Sequence, residues 1–337
     1  MQTAAHLTRR RCLSGAGLLV LSAYFSPSMA GSGIVRLSRP LLGTRIDIVA
    51  QGAQASLAVE RAMAEMTRLE RLMSRYRADS EVAALHRASG RHPVKVSPET
   101  MAVLQQAVAL SRDSGGRFDV TIGAFDGWSF EPGRPRLPSA QEREAQRGLV
   151  GHQYLRLDSA SGQAQLMRPG MKLDLGGVAK LPILEAGMRV LVAHGLDGAM
   201  LNGGGDVLVN GQFNGRDWRI GVRDPIDPSK LMGSIAVRDG VVASSGDYER
   251  SFVRDGKRYH HVLDPDTGLP ASGVRGVAMI ARDTKSLNGR GAMAMLLGPD
   301  GARSMLAQLR AVESVMVDDL GRRWYSAASL AGRLASV

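Results

Sequence analysis

Ser245-Gly246-Asp247-Tyr248-Glu249-Arg250, followed after eight residues by Tyr259-His260-His261-Val262-Leu263-Asp264-Pro265-Asp266-Thr267-Gly268, is the stretch from which the fold is read. Asp255-Gly256 lies between the two halves and is a strong hairpin turn signal, and Asp264 to Gly268 carries a second turn. Two short strands therefore present a Ser-Gly-Asp corner, two adjacent histidines and an Asp-Pro-Asp-Thr-Gly turn from one small unit. Around it, segments from Val207 to Ala281 read mainly as strands. Helical periodicity lies on either side of them.

Upstream, Ile34 to Ser38 and Thr44 to Ala50 alternate as strands across Leu42-Gly43-Thr44. From Ala53 to Tyr76 the apolar positions Val59, Ala62, Met63, Met66, Leu69 and Met73 recur at helical spacing, a core-facing stripe. Asp79 or Ser80 caps a helix over Glu81 to Ala88, and Ser97-Pro98-Glu99 opens another that Gly115-Gly116 stops. The Pro-, Arg- and Glu-rich residues 131 to 150 read as an excursion rather than a linker. Met171 to Leu175 is expected as a strand, Ile183 to His194 as a helix, and Gly198 to Asn202 as a strand. Asn288 to Leu297 and Gly301 to Leu309 are expected as helices, and Glu313 to Asp318 as a closing strand. With no internal repeat and no clear linker, the expected architecture is one α+β domain over 31–337, helices packed on a largely antiparallel sheet.

The 337 residues are 44% hydrophobic, enough to bury a substantial core. The formal charge is +11, yet the basic residues are scattered after Arg11 and aromatics are only 4%, which argues against a nucleic-acid partner. A moderately basic surface suits anionic small molecules or a membrane surface equally well. Arg9-Arg10-Arg11 precedes an apolar run from Gly15 to Phe25, and Ser28-Met29-Ala30 offers a small-x-small cleavage site. That pattern is a secretory signal over 1–30, and the arginine pair resembles a twin-arginine export signal. Thr8 and Cys12 depart from the usual Ser and Phe, so the Sec route stays open. Cys12 is the only cysteine, so the mature chain has no disulfide and relies on its core in an oxidising periplasm.

No GxxxxGK[ST], GxGxxG or HExxH motif occurs, and the turn at Asp264 lacks the glutamate an EF-hand needs. What remains is a set of glycine-bearing polar turns. Gly176-Gly177 and Gly203 to Gly205 let backbone N–H groups approach anionic oxygens. Lys180 sits where a helix begins, adding an ammonium to the positive end of that helix. Asp174, Asp206 and Asp247 are placed to orient hydroxyls or bind a metal. Together these point to a phosphate-bearing ligand held by loops.

Read in order, the motifs resemble the ApbE family of FAD:protein FMN transferases. They are Leu42-Gly43-Thr44, Tyr76-Arg77-x-Asp79-Ser80-Glu81, Phe118-Asp119-x-Thr121-x-Gly123 and Leu173-Asp174-Leu175-Gly176-Gly177-Val178-Ala179-Lys180. Asn202-x-Gly204-Gly205-Asp206 and the two halves of the opening stretch complete the set. The resemblance implies bound FAD, a magnesium ion on its diphosphate, and transfer of FMN through its phosphate to a threonine of a partner protein, with release of AMP. It also implies that Leu42, Tyr76, Arg117, Phe118, Asp119, Asp174, Lys180, His261 and Val262 line the FAD, that Gly177 and Asn288 serve the metal, and that His261 is the catalytic group. The acceptor would be a periplasmic or membrane-bound protein.

Two departures from the family pattern stand out. The resemblance places an aspartate and, four residues on, a threonine on one face of the late helix, where this chain has Asn288 and Ala292. That loss of charge and oxygen predicts weak magnesium binding. After Lys180 the family continues Gly-Tyr, whereas Leu181-Pro182 stand here, and Leu181 is expected to add bulk beside the nucleotide. Gly289 and Gly291 are expected to weaken the late helix by ~1 kcal/mol each. The readings carried forward are an exported transferase with an altered metal site, and a flavin-binding accessory protein of a periplasmic electron-transfer system such as nitrous oxide reduction. A scaffold that no longer binds flavin is the third.

Overall fold

In the computed structural model, residues 33–334 are described; the expected signal segment 1–30 lies outside them. Eight strands form one sheet in chain order: Ile34–Leu41, Thr44–Gln51, Gly198–Gly203, Asp206–Gly211, Gly240–Gly246, Val274–Ala281, Glu313–Asp318 and Arg323–Tyr325. Every neighbouring pair is antiparallel. The α+β expectation holds.

Long insertions carry the helices. α1 (Ala55–Met73), α2 (Glu81–Ala88), α3 (Pro98–Asp113), α4 (Ala140–Arg147) and α5 (Lys180–Ala193) all fall between the second and third strands. α6 (Arg290–Gln308) follows the sixth strand, and α7 (Ala328–Leu334) closes the described chain. Ser80 and Ser97 cap α2 and α3, each side-chain oxygen accepting the N–H three residues on. In α1 the buried positions include Val59, Ala62, Met63, Met66, Leu69 and Met73, the stripe read from the sequence.

Both faces of the sheet are covered, which explains its long apolar runs. Leu208, Val241, Ala243, Val277, Met279 and Met316 share the large core with α1, α5 and α6. Val207, Val209, Val242, Ala278, Ile280 and Val315 alternate with them and point to a second core. That core is closed by the ribbon Trp218–Arg223/Leu231–Val237 and by Leu330 and Leu334 of α7.

Antiparallel order sends every second connection to the same end of the sheet. The turns Leu42-Gly43 and Gly204-Gly205 and the whole excursion from Asp247 to Gly273 therefore emerge together. That excursion holds the hairpin Ser251–Arg254/Lys257–His260, with Asp255 and Gly256 both at positive φ (52° and 72°), as the Asp-Gly signal predicts. Stacked Trp128 and Phe130 lie against Phe252 and Tyr259 of the hairpin, so the excursion near residue 130 is docked on it.

Three expectations are corrected. Met171 to Leu175 makes no strand; only Lys172 bridges, in parallel, to Ile122, and the segment is held by the Asp174 N–H donating to the Val120 carbonyl. Asn288 is not on the late helix. α6 starts at Arg290 behind Gly289, whose φ of 73° puts it outside the helix, so glycine there is required rather than weakening. Gly291 is likewise demanded by packing, since a Cβ would come within 2.4 Å of the Ser245 Oγ. Gly289→Ala combines left-handed backbone strain with a Cβ 2.4 Å from Leu110 Cδ1. It should lower the unfolding free energy by about 2–3 kcal/mol in chemical denaturation.

Candidate active site

Three backbone features meet at the loop-bearing end of the sheet. Gly204 and Gly205, both at positive φ, form a two-residue turn, ordered by the Asn202 Oδ1 accepting the Gly205 N–H at 2.9 Å. A Cβ on Gly204 would lie 2.5 Å from the Thr44 Oγ1, so this turn packs directly on Leu42-Gly43-Thr44. Leu42 itself is half-buried at φ 58°, a conformation that costs a leucine strain and is stored at this end of the sheet. α5 begins beside them at Lys180, with no side chain capping its N-terminus and no acidic residue in its first turn. The Lys180 ammonium lies 2.6 Å from Asp206 and 3.5 Å from the Gly203 carbonyl. An uncapped helix N-terminus and an ammonium together favour a phosphate.

A second group lines the same cleft. Asp174 pairs with Arg75 at 2.5 Å and accepts the Gly176 N–H at 2.8 Å. Burial pushes the Asp174 carboxyl up, but Arg75, the Gly176 N–H and Arg250 outweigh it and hold the group below the usual carboxylate range. Arg75 also sits 5.7 Å from the ring of Tyr76, which is 76% exposed at the rim. His261 lies near this group, close enough to feel the charges of Asp174 and Lys180. It is exposed at the surface, and partial desolvation by its neighbours together with the Arg250 charge pulls the imidazole down to about 4. Glu249, whose carboxyl is raised by burial, is near enough to feel Arg223 and Lys180.

The adjacent histidines are unlike. His260 is buried; its Nδ1 accepts the Val262 N–H at 3.3 Å and its Nε2 donates to the Ala271 carbonyl at 2.9 Å, so both ring atoms are used in holding the turn. His261 keeps its ring free for chemistry and uses only its backbone, donating N–H to the Arg250 carbonyl at 3.1 Å. A third histidine, His86, accepts the Leu173 N–H at 2.8 Å. Its imidazole is pulled from 6.5 to about 4 by burial and by Arg75 and Lys172. Neutral histidines of this kind stabilise the fold above their unfolded pKa, and the benefit is lost as acid protonates the unfolded chain first. Urea midpoints should be flat above pH 6.5 and fall steadily from there toward pH 4; a flat profile through that window contradicts the assignment.

Other expected site residues support the cleft from behind. Phe118 and Val262 are buried in the core. The Phe118 ring lies 3.3 Å from where a Cβ on Gly177 would stand. Asp119 is also buried, and its own chain occupies its carboxylate: Thr121 donates its N–H and Oγ1–H at 2.8 and 2.6 Å, and His152 its N–H at 2.6 Å. Asp119 thus orders the loop rather than offering oxygen to a ligand. Arg117 bridges to Asp264 at 3.3 Å and Asp266 at 3.0 Å, tying this loop to the Asp-Pro-Asp-Thr-Gly turn. Leu181 points into the core and adds no bulk to the cleft, and Pro182 sits in the first turn of α5, where no N–H is needed.

The metal expectation meets a different arrangement. Asn288 is 2% exposed and donates its amide N–H groups to the Val178 carbonyl and to the Gln106 Oε1, both at 2.8 Å. Ala292 offers no oxygen, and Asp283, exposed, accepts the Ser286 N–H with one of its two carboxylate oxygens. Among the described residues no cluster of three His, Cys, Asp or Glu side chains is placed to hold a metal. A neutral donor set facing a carbonyl does not fit magnesium, which wants hard oxygens and usually a carboxylate.

The ApbE family model matches residues 42–316, from the strained first turn through the seventh strand. The chain belongs to the ApbE family. A relative from Klebsiella pneumoniae (strain 342), named FAD:protein FMN transferase, is 33% identical over 290 residues, covering 85% of this chain and 89% of its own. Another of that name, from Treponema pallidum (strain Nichols), is 31% identical over 282 residues, covering 79% and 78%. Among solved structures, the ApbE protein of Thermotoga maritima superposes with a TM-score of 0.81 at 28% identity, over 89% of this chain and 99% of that one. The flavin transferase ApbE of Vibrio cholerae gives 0.77 at 26% identity, over 88% and 98%.

Arg75, Glu249 and Arg250 join this ApbE-family site without a local sequence signal for the role. Arg75 lies next to Tyr76 in a quoted motif, but its partner Asp174 is 99 residues away, and no local pattern joins them. Glu249 and Arg250 lie inside the Ser245–Arg250 stretch, where nothing in the local pattern marks them.

Proposed function

We propose that this chain is an FAD:protein FMN transferase, moving FMN from FAD to a threonine hydroxyl of an acceptor protein. The observation that carries the reading is that the uncapped α5 N-terminus, Lys180 and the Gly204-Gly205 turn come together at one end of the sheet, near His261. The family membership and the names of the relatives support it. In the reaction the hydroxyl oxygen attacks the FMN phosphorus, the bond from that phosphorus to the AMP oxygen breaks, and AMP leaves. The hydroxyl proton goes to the His261 imidazole, which is neutral at pH 7 and so able to accept it. Lys180 and the N–H groups of α5 hold the diphosphate in line, so positioning and charge supply most of the catalysis.

The decisive experiment is intact mass after incubation with FAD and an acceptor domain bearing a flavinylation threonine. A gain of one FMN with stoichiometric AMP supports the transferase; tight FAD binding without any gain supports the accessory reading instead. The arginine-led apolar segment before Ala30 supports export to the periplasm, with a periplasmic or membrane-bound acceptor. Among the described residues no helix is long and apolar enough to cross a membrane. Export predicts a mature N-terminus just after Ala30, read by mass spectrometry of the periplasmic fraction.

A further inference from the structure

The position that family resemblance gives to a metal is filled in this chain by a hydrogen-bond staple. A carbonyl oxygen can only accept, so the group facing Val178 at 2.8 Å has to be the Asn288 NH2, and the amide orientation follows. Its other N–H reaches Gln106 on α3, so one buried side chain joins the α5 approach, α3 and the start of α6. A cation placed there would need that NH2 to become an oxygen. The diphosphate of a dinucleotide nevertheless brings two negative charges into the cleft, and they need a counter-charge.

Most cations near the site already have their charge balanced by a carboxylate, although the Lys180 ammonium keeps N–H donors for a phosphate. Lys180 is held by Asp206 at 2.6 Å, Arg75 by Asp174 at 2.5 Å, and Arg117 by Asp264 and Asp266. Arg250 differs. Its side chain is exposed, its carbonyl is fixed by the His261 N–H at 3.1 Å, and among the described residues no carboxylate pairs with its guanidinium. That backbone bond sets it beside His261 at the foot of the hairpin, and its positive charge acts on both His261 and Asp174. A planar guanidinium offers two parallel N–H donors to a phosphate, a geometry an ammonium lacks.

We propose that Arg250 supplies the counter-charge to the dinucleotide diphosphate, and that this chain holds its nucleotide without a divalent ion at Asn288. The proposal rests on the transferase reading only in taking a dinucleotide diphosphate as the ligand. Asn288 then serves as a structural tie and Arg250 as a binding residue.

The test measures FAD affinity of the full mature chain by flavin fluorescence, in Mg²⁺ and in EDTA, with metal content determined on the same samples. The expected result is an affinity equal within about twofold in the two conditions. Arg250→Gln should weaken binding by about 10- to 100-fold in both, and Arg250→Lys should recover part of the loss. Arg250 is exposed, so neither variant threatens folding. Asn288→Asp sets a carboxylate against the Val178 carbonyl and should lower the melting temperature, whatever the flavin does. Binding that fails in EDTA and returns with Mg²⁺, or Arg250→Gln binding like the native chain, overturns the proposal while leaving the transferase reading intact. Absence of FAD binding in every condition overturns both.

Discussion

His261→Ala is expected to slow FMN transfer by about 100- to 10,000-fold while leaving FAD affinity within a few-fold of the native chain. The expectation follows from what the ring does and does not touch. Among the described residues nothing hydrogen-bonds the ring, partial desolvation and the Arg250 charge keep it neutral, and it lies near enough to Asp174 to feel its charge. His260→Ala should behave oppositely, because it strands the buried Val262 N–H and Ala271 carbonyl. That change should cost stability, by about 1–3 kcal/mol, and impair transfer only through unfolding. The pH profile separates the base role from a positional one. With an imidazole near 4 in the free enzyme, kcat/KM should hold level from neutrality and drop only as pH approaches about 4. In Arg250→Gln the limb should move upward, since removing a neighbouring cation makes the ring easier to protonate. An acid limb at the ordinary histidine value in the native chain would count against His261 as the base.

Lys180→Met should damage both affinity and stability, for separable reasons. The ammonium is paired at 2.6 Å with Asp206, whose side chain is only 8% exposed and also accepts the Ser244 N–H. Removing it leaves a carboxylate nearly buried without its counter-charge. Because Lys180 is itself 30% exposed, the cost should fall toward the low end for broken buried pairs, about 2–3 kcal/mol. FAD binding should weaken by about 10- to 100-fold as a charged hydrogen bond to phosphate is lost. The double variant Lys180→Met/Asp206→Asn removes the stranded charge. Its denaturation midpoint should recover most of the loss, while FAD affinity stays low. If affinity recovers together with stability, Lys180 is a structural ion-pair partner and does not touch the nucleotide.

Much of the site was legible because it is written in local signals. Asp255-Gly256 is a turn wherever it sits between alternating strands, and Ser80 and Ser97 cap helices by reaching three residues along their own chain. The glycine pairs were readable as backbone approaching a ligand, and Lys180 as the start of a helix. Errors arose where a residue's role depends on a partner far away in the chain. Asp119 reads as a ligand group, but Thr121 and His152 exhaust its oxygens. Leu181 reads as an obstruction until its side chain is seen in the core. Asn288 reads as a helix residue until the φ of Gly289 places the helix start two residues later.

By itself, then, the amino-acid order determined the elements, the turn types, the α+β class and the family, because each rests on periodicity, backbone conformation or motifs along the chain. Only the tertiary structure decided which of two adjacent histidines is free, which cations remain unpaired and what faces the Val178 carbonyl. Those are questions of satisfaction and charge at short range. Coulomb and hydrogen-bond terms depend on distances between segments that lie up to 182 residues apart, as Gln106 and Asn288 do.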